Sequence, residues 1–294
     1  MRKRNWNQYN QELVKRGSIT FFIDEKALTQ KPKENKRGRP RLFSNPLIHM
    51  LLILKSQYRL TYRALEGFSK SILPLLHTSL DLPTYSLICK RASNMEAFLP
   101  KLSWRKPKVV LIDASGVKVY GEGEWKVKIH GTSKRRKWVK IHIAIDAKTQ
   151  EIIELEITKG YRADCIVGPK IIQKLPRSTK AVLGDGGYDT KNCREAIRDI
   201  GATDLIPPRK SSRLSNLERR NQSLLEIKGL GGDLVAREIW GKLTGYSKRS
   251  LVETAFSRMK RLFGERFYSK KMETQKVEGI IKCRMLNQMI SSMA

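Results

Sequence analysis

Acidic residues and cysteines are scarce in this chain, and it has no long apolar run. Aspartate and glutamate number 28 against 59 lysines and arginines in 294 residues, leaving a formal charge of +31. So large an excess repels itself in a compact state, and an anionic partner is its natural explanation. The four cysteines, Cys89, Cys165, Cys193 and Cys283, lie far apart with no Cys-x-x-Cys spacing. That argues against a zinc site or a disulfide framework and makes a reducing compartment the default. Among the few histidines, His130 and His142 lack the spacing of paired metal ligands. The apolar stretch 46–54 is too short to span a bilayer and soon meets charge. Met1-Arg2-Lys3-Arg4 is basic, but no apolar signal core follows it. The expectation is a soluble, cytoplasmic protein with no membrane partner.

An apolar content of 40% suffices for a real core, and the length allows one large domain or two modest ones. Basic residues run along the whole chain with Trp6, Trp125, Trp138 and Trp240 among them. This distribution suits a long contact with nucleic acid better than a single basic tail. Composition alone also leaves open a ribosome-associated or merely soluble basic protein.

Two segments differ in character. Residues 1–100 read as a mainly helical, basic region, and residues 101–294 as an α/β domain. In the first, residues 31–41 form a Pro-, Gly- and Lys/Arg-rich linker expected to be extended. Helices are expected over 47–58, then, after a turn at 60–65, through 68 and 72, and from about 84 through 91. Helices joined by tight turns with exposed cations fit a helix-turn-helix-like DNA reader, and a plain helical cap fits the same pattern. In the second segment, Val109-Val110-Leu111-Ile112 predicts a buried strand ending in Asp113. Alternating residues over 138–146 and 151–158 predict two half-buried strands with a turn between them. A helix over 164–175 and a strand over 180–183 follow. Next come a helix capped by Asp189, a short strand at 204–206, and helices from Tyr246 and Glu273. This order is that of a ribonuclease-H-like fold, which by itself does not establish function.

Three carboxylates stand out. Asp113 and Asp185 each follow a short apolar strand and precede small residues, which places them at a sheet edge where ligands bind in α/β folds. Gly184, Gly186 and Gly187 are expected to free the backbone for close approach by a large substrate. An Asp at a strand end is often only a turn residue, but two in matching contexts carry more weight. Between Tyr246 and Lys260, the residues Tyr246, Arg249, Glu253 and Lys260 fall within an arc of about 60° on one helix face. Leu251, Ala255, Met259 and Leu262 form a separate apolar stripe expected to face the sheet. Taken alone, Arg249 and Glu253 could simply be a helix ion pair.

The pattern Tyr246-x2-Arg249-x3-Glu253-x6-Lys260 resembles the signature of bacterial insertion-sequence transposases of the DDE type. Gly184-Asp185-Gly186-Gly187-Tyr188-Asp189-Thr190, Val110-Leu111-Ile112-Asp113-Ala114-Ser115 and Arg135-Arg136-Lys137-Trp138-Val139-Lys140-Ile141-His142 resemble segments of the insertion-sequence-five group. Trp6-Asn7, Tyr9-Asn10, Leu13-Val14, Arg16-Gly17-Ser18 and Gly38-Arg39-Pro40 resemble that group's beginning. The likeness thus spans nearly the whole chain. It implies an enzyme that binds the ends of an insertion sequence and cuts and joins DNA strands. It further implies Asp113, Asp185 and Glu253 as ligands of two Mg2+ ions, with Mn2+ as a possible substitute. Tyr246, Arg249 and Lys260 would contact the strand end. The partners would be double-stranded DNA, as terminal inverted repeats and as target, with a homodimer on paired ends in the bacterial, nucleoid-associated cytoplasm.

The chemistry explains the triad independently. Phosphodiester cleavage needs a deprotonated oxygen nucleophile and stabilisation of the leaving oxygen, and two divalent ions about 3.5–4 Å apart supply both. Such hard ions take carboxylate oxygens, with Asp113 best placed to bridge both ions and Asp185 and Glu253 each completing one. Lys134-Arg135-Arg136-Lys137 beside Trp138 favours phosphate contact over a solvated turn. Arg37-Gly38-Arg39-Pro40 resembles minor-groove-binding arms, and a flexible linker explains it equally well. Asp146 reads as a hairpin residue, Asp189 as a helix cap, and His142 as structural or DNA-facing. Two alternatives remain at this point: a catalytically silent DNA-binding regulator derived from a transposase, and a nuclease that cleaves without joining.

Overall fold

The structure, a computed structural model, describes residues 5–29, 42–75, 81–119 and 138–292. The expected linker with Arg37 and Arg39, and the basic turn with Arg135, Arg136 and Lys137, lie outside the described residues. The chain divides into two compact units, residues 1–101 together with 262–294, and residues 102–261.

The first unit is mainly helical, with α1 (Trp6–Lys15), α2 (Glu25–Thr29), α3 (Asn45–Gln57), α4 (Tyr62–Leu75) and α5 (Tyr85–Ala92). Ser44 starts α3 by accepting a hydrogen bond from the Leu47 N–H at 3.2 Å, and Pro46 sits in the first turn where its missing N–H is harmless. Leu47, Ile48, Met50, Leu51, Leu52 and Leu54 are buried, so α3 is wrapped on nearly every side. The C-terminal helix Met272–Ser291 packs against it and is itself buried around its circumference. Two charges lie inside this contact: Lys282 pairs with Glu278 at 2.9 Å, and Glu278 also accepts from the Tyr268 and Ser269 N–H groups at 3.1 and 3.0 Å. Buried charges persist only when satisfied in this way.

The described part of the second unit contains β1 (Val109–Val119), β2 (Trp138–Asp146), β3 (Ile152–Lys159), α6 (Asp164–Ile172), β4 (Ala181–Leu183), α7 (Lys191–Asp199), β5 (Thr203–Leu205), α8 (Glu218–Gly229), α9 (Leu234–Thr244) and most of α10 (Ser250–Phe263). The sheet order is β3-β2-β1-β4-β5. The β1–β2 and β2–β3 pairs are antiparallel, and the β1–β4 and β4–β5 pairs are parallel. A three-strand meander continued by parallel strands through helical crossovers is the ribonuclease-H-like arrangement. Val110 and Ile112 of β1, Ala144 of β2 and Val182 of β4 pack with Val167, Ile171 and Ile172 of α6 and Ala196 and Ile197 of α7. Full burial of each valine or isoleucine side chain here contributes about 1.5–3 kcal/mol. Strand side chains alternate, so Leu111 and Asp113 point to the opposite face of the sheet.

Some expectations shift. β1 does not end at Asp113 but runs on to Val119, because β2 pairs with it from Val110↔Asp146 to Lys118↔Trp138. A count of local apolar residues cannot register that pairing. Helices α8 and α9 had no sequence expectation, since Glu218-Arg219-Arg220 dilutes the apolar spacing at the start of α8. No helix among the described residues is long and apolar enough to cross a membrane.

Candidate active site

Asp113 projects from the middle of β1. Its Oδ1 accepts the Ala114 N–H at 2.8 Å, and its Oδ2 accepts from Arg249 Nη1 at 3.4 Å. Burial pushes its carboxyl above the usual range; the Ala114 N–H and Arg249 oppose this, while the carboxylates of Asp185 and Glu253 add to it. These three acids therefore share one electrostatic neighbourhood.

Asp185 follows β4, the parallel neighbour of β1, after one intervening glycine. It caps the 3-10 turn Gly186–Tyr188, accepting the Gly187 N–H at 2.9 Å. The glycines here serve packing more than substrate approach. A Cβ on Gly184 would come within 3.1 Å of both Ile112 and Tyr188, and one on Gly187 within 2.9 Å of Asp185 Oδ1. The expectation that all three glycines clear space for a substrate therefore needs correction at 184 and 187.

Glu253 lies in the first turn of α10 and accepts from Arg249 Nη2 at 2.5 Å. One guanidinium thus bridges Glu253 on the helix and Asp113 on the central strand. Another contact, Arg258 Nη1 to Gln150 Oε1 at 2.7 Å, fastens the same helix to the β2–β3 turn. Tyr246 and Arg249 belong to a separate 3-10 turn, Tyr246–Arg249, and not to α10 itself. Gly245 at φ +73° ends α9 and lets the chain restart, a conformation that a side chain disfavours. With three residues per turn, Tyr246 and Arg249 eclipse each other. Tyr246 packs on Trp240 with ring centroids 5.6 Å apart. Burial pushes its phenol up to about 12; Arg249 opposes this, and Asp185, Asp113 and Glu253 add to it. At neutral pH it is a hydrogen-bond donor.

The buried face of α10 is Val252, Ala255, Phe256, Met259 and Phe263. The expected stripe is correct at Ala255 and Met259 but displaced elsewhere, because Leu262 is 37% exposed and Leu251 only half-buried. Lys260 is half-buried two turns beyond Glu253, and no contact joins it to the three acids among the described residues. His142 is buried on the far face of the sheet, bonded through Nε2 to Thr158 Oγ1 at 2.9 Å. Burial pushes its imidazole down to about 4, so it is neutral and structural. Asp146 is a turn residue, accepting from the Lys148 N–H and the Thr149 hydroxyl.

Asp189 does not cap α7; Thr190 does, accepting from the Cys193 N–H. Asp189 is instead a buried hub. Its Oδ1 receives Arg194 Nε and Nη2 and Arg220 Nε, and its Oδ2 receives the Arg209 N–H and the Ser212 hydroxyl. Arg194 also pairs with Asp204 and donates to the Ile206 carbonyl. Arg209 Nε reaches the Gly186 carbonyl at 3.2 Å, inside the turn that carries Asp185. This support was hidden in the sequence because its members are spread over 189–220, and only the Asp189–Arg194 spacing hints at it.

A strand-borne Asp, a second Asp after the adjoining parallel strand and a helical Glu, on a ribonuclease-H-like sheet, form a donor set that metal-dependent polynucleotidyl transfer would use. The family described as "Transposase DDE domain" matches residues 104–288, more than half of the chain, and a second family of the same description matches residues 14–122. The chain belongs to the DDE transposases: it is a transposase, an enzyme of DNA strand transfer in a family that uses divalent metal ions. Solved structures similar to it include a piggyBac transposase synaptic complex with hairpin DNA, at 11% identity and TM-score 0.47 over 92% of this chain and 72% of that one. They include the Drosophila P element transposase strand transfer complex, at 13% and 0.30 over 96% and 71%. The Mos1 mariner paired end complex with Mn is a third, at 10% and 0.24 over 99% and 88%.

Proposed function

We propose that Asp113, Asp185 and Glu253 are the catalytic carboxylates of an insertion-sequence-five-like transposase that binds the element's terminal inverted repeats, cleaves them and joins them to target DNA. The observation that carries this reading is the convergence of Asp113 on β1 and Glu253 on α10 through Arg249, beside Asp185 at the end of the adjoining strand. The donor set fits a hard divalent ion: all three ligands are carboxylates, and the burial that pushes Asp113 up is a cost that a cation offsets. The three side chains would hold Mg2+, two ions in all, with Mn2+ as substitute. Bound there, the ions supply a deprotonated nucleophile and stabilise the leaving oxygen.

The remaining work falls to the chain's own side chains. Arg249 and Lys260 hold phosphate oxygens of the strand end, and the protonated Tyr246 donates to it. Arg135, Arg136 and Lys137 add backbone contacts, and Arg37 and Arg39 enter the DNA groove. Residues 1–100 supply most of the end recognition, and a homodimer on paired ends completes the assembly in the nucleoid-associated cytoplasm. The test is cleavage of DNA carrying the element's ends in Mg2+ or Mn2+. Asp113→Asn, Asp185→Asn and Glu253→Gln should each abolish cleavage while retaining end binding. Near-wild-type cleavage by any of them removes that residue from the site.

A further inference from the structure

Asp113, Asp185 and Glu253 feel one another's charge, yet among the described residues no three potential ligand groups stand close enough together to hold a metal ion. Arg249 stands between two of them. Its fork reaches Asp113 Oδ2 with Nη1 and Glu253 Oε1 with Nη2, so each of these acids gives one oxygen to a guanidinium. The side chain is 24% exposed, and the Glu253 side chain is 58% exposed, so one flank of the pair is open to solvent. The guanidinium can therefore swing outward without disturbing the core.

We infer that Arg249 is a cation placeholder, which closes the carboxylate site when DNA is absent and opens it when a DNA phosphate draws the guanidinium away. This inference rests on the assignment of the three acids as metal ligands. The physical basis is competition for shared acceptors: a carboxylate oxygen engaged by a charged N–H is not free for a metal, and phosphate offers the same fork an equivalent bidentate partner. Metal binding and DNA binding are then coupled, and the coupling is reciprocal. A transposase so built binds metal weakly off DNA and better on it.

The test is calorimetric titration of Mn2+ into the DNA-free, full-length protein. Arg249→Gln should tighten Mn2+ binding about threefold to tenfold, the worth of a partly exposed charged hydrogen bond. Lys248→Gln removes a charge one residue away, on an exposed side chain, and should leave the affinity within about twofold, since a charge that touches no ligand is largely screened. Unchanged or weaker Mn2+ binding in Arg249→Gln overturns the placeholder. So does equal tightening in Lys248→Gln, which would mean that the general field and not the contact matters. Asp113→Asn separates the two levels of the argument: if it binds Mn2+ as wild type does, the ligand assignment itself fails. A thermal melt of Arg249→Gln within a few degrees of wild type excludes misfolding as the cause.

Discussion

Replacing Asp189 by Asn removes one negative charge from a site where the guanidinium groups of Arg194 and Arg220 meet, with almost no change in shape. The Asp189 side chain is 1% exposed, that of Arg194 is 3% and that of Arg220 is 15%. Five donors converge on this carboxylate, and an amide can accept from only some of them while bringing two donors of its own. Breaking a buried pair from one side leaves uncompensated charge and costs about 3–5 kcal/mol. For a unit of this size each kcal/mol shifts the midpoint about 2–4 °C, so the variant should melt roughly 6–20 °C lower. Burial pushes the Asp189 carboxyl up, but the Arg209 N–H, Arg220 and Arg194 outweigh it and leave the folded value below normal. The stabilisation is therefore fully present above the ordinary carboxylate range and is lost as pH falls through the lower folded value. Urea unfolding at neutral and acidic pH is the assay. The wild-type advantage over Asp189→Asn should be full at neutral pH and shrink only in strong acid. A difference below about 1 kcal/mol at neutral pH would refute the reasoning, because it would put the network in the range of exposed ion pairs.

Two further perturbations probe the support of Tyr246. Trp240→Ala removes a buried ring, 2% exposed, whose Nε1 donates to Glu226 at 2.9 Å; it should cost about 3–5 kcal/mol by chemical denaturation and raise the tyrosine's solvent accessibility, seen in fluorescence quenching. Gly245→Ala places a side chain at φ +73° with open space around it, so only backbone strain opposes it; a loss of about 1–2 kcal/mol is expected, and no loss would show that the turn relaxes elsewhere.

Much of the architecture was legible in the chain. Trp138–Asp146 alternates so regularly that its strand limits agree with the sequence expectation, and Thr84 and Asn45-Pro46 mark helix starts within a residue or two. These signals are local: strand alternation, caps and proline placement depend on neighbours a few positions away. The four-residue spacing from Tyr246 to Lys260 likewise announced a helical Glu with companions, although it read one continuous helix where the chain forms a 3-10 turn, Tyr246–Arg249, that leads into α10 at Ser250.

What the sequence determined by itself was the kind of chemistry available: hard carboxylates, abundant cations, and apolar strand segments that lead into two of the acids. Tertiary structure decided which groups meet. The bond from Arg249 to Asp113 spans 136 residues, and Arg258 ties α10 to Gln150 in the β2–β3 turn. The Asp189 hub likewise draws donors from 194, 209, 212 and 220 into one buried point. No local pattern encodes such meetings, since burial and charge pairing are properties of chain segments brought together by the sheet and not of their spacing along the chain.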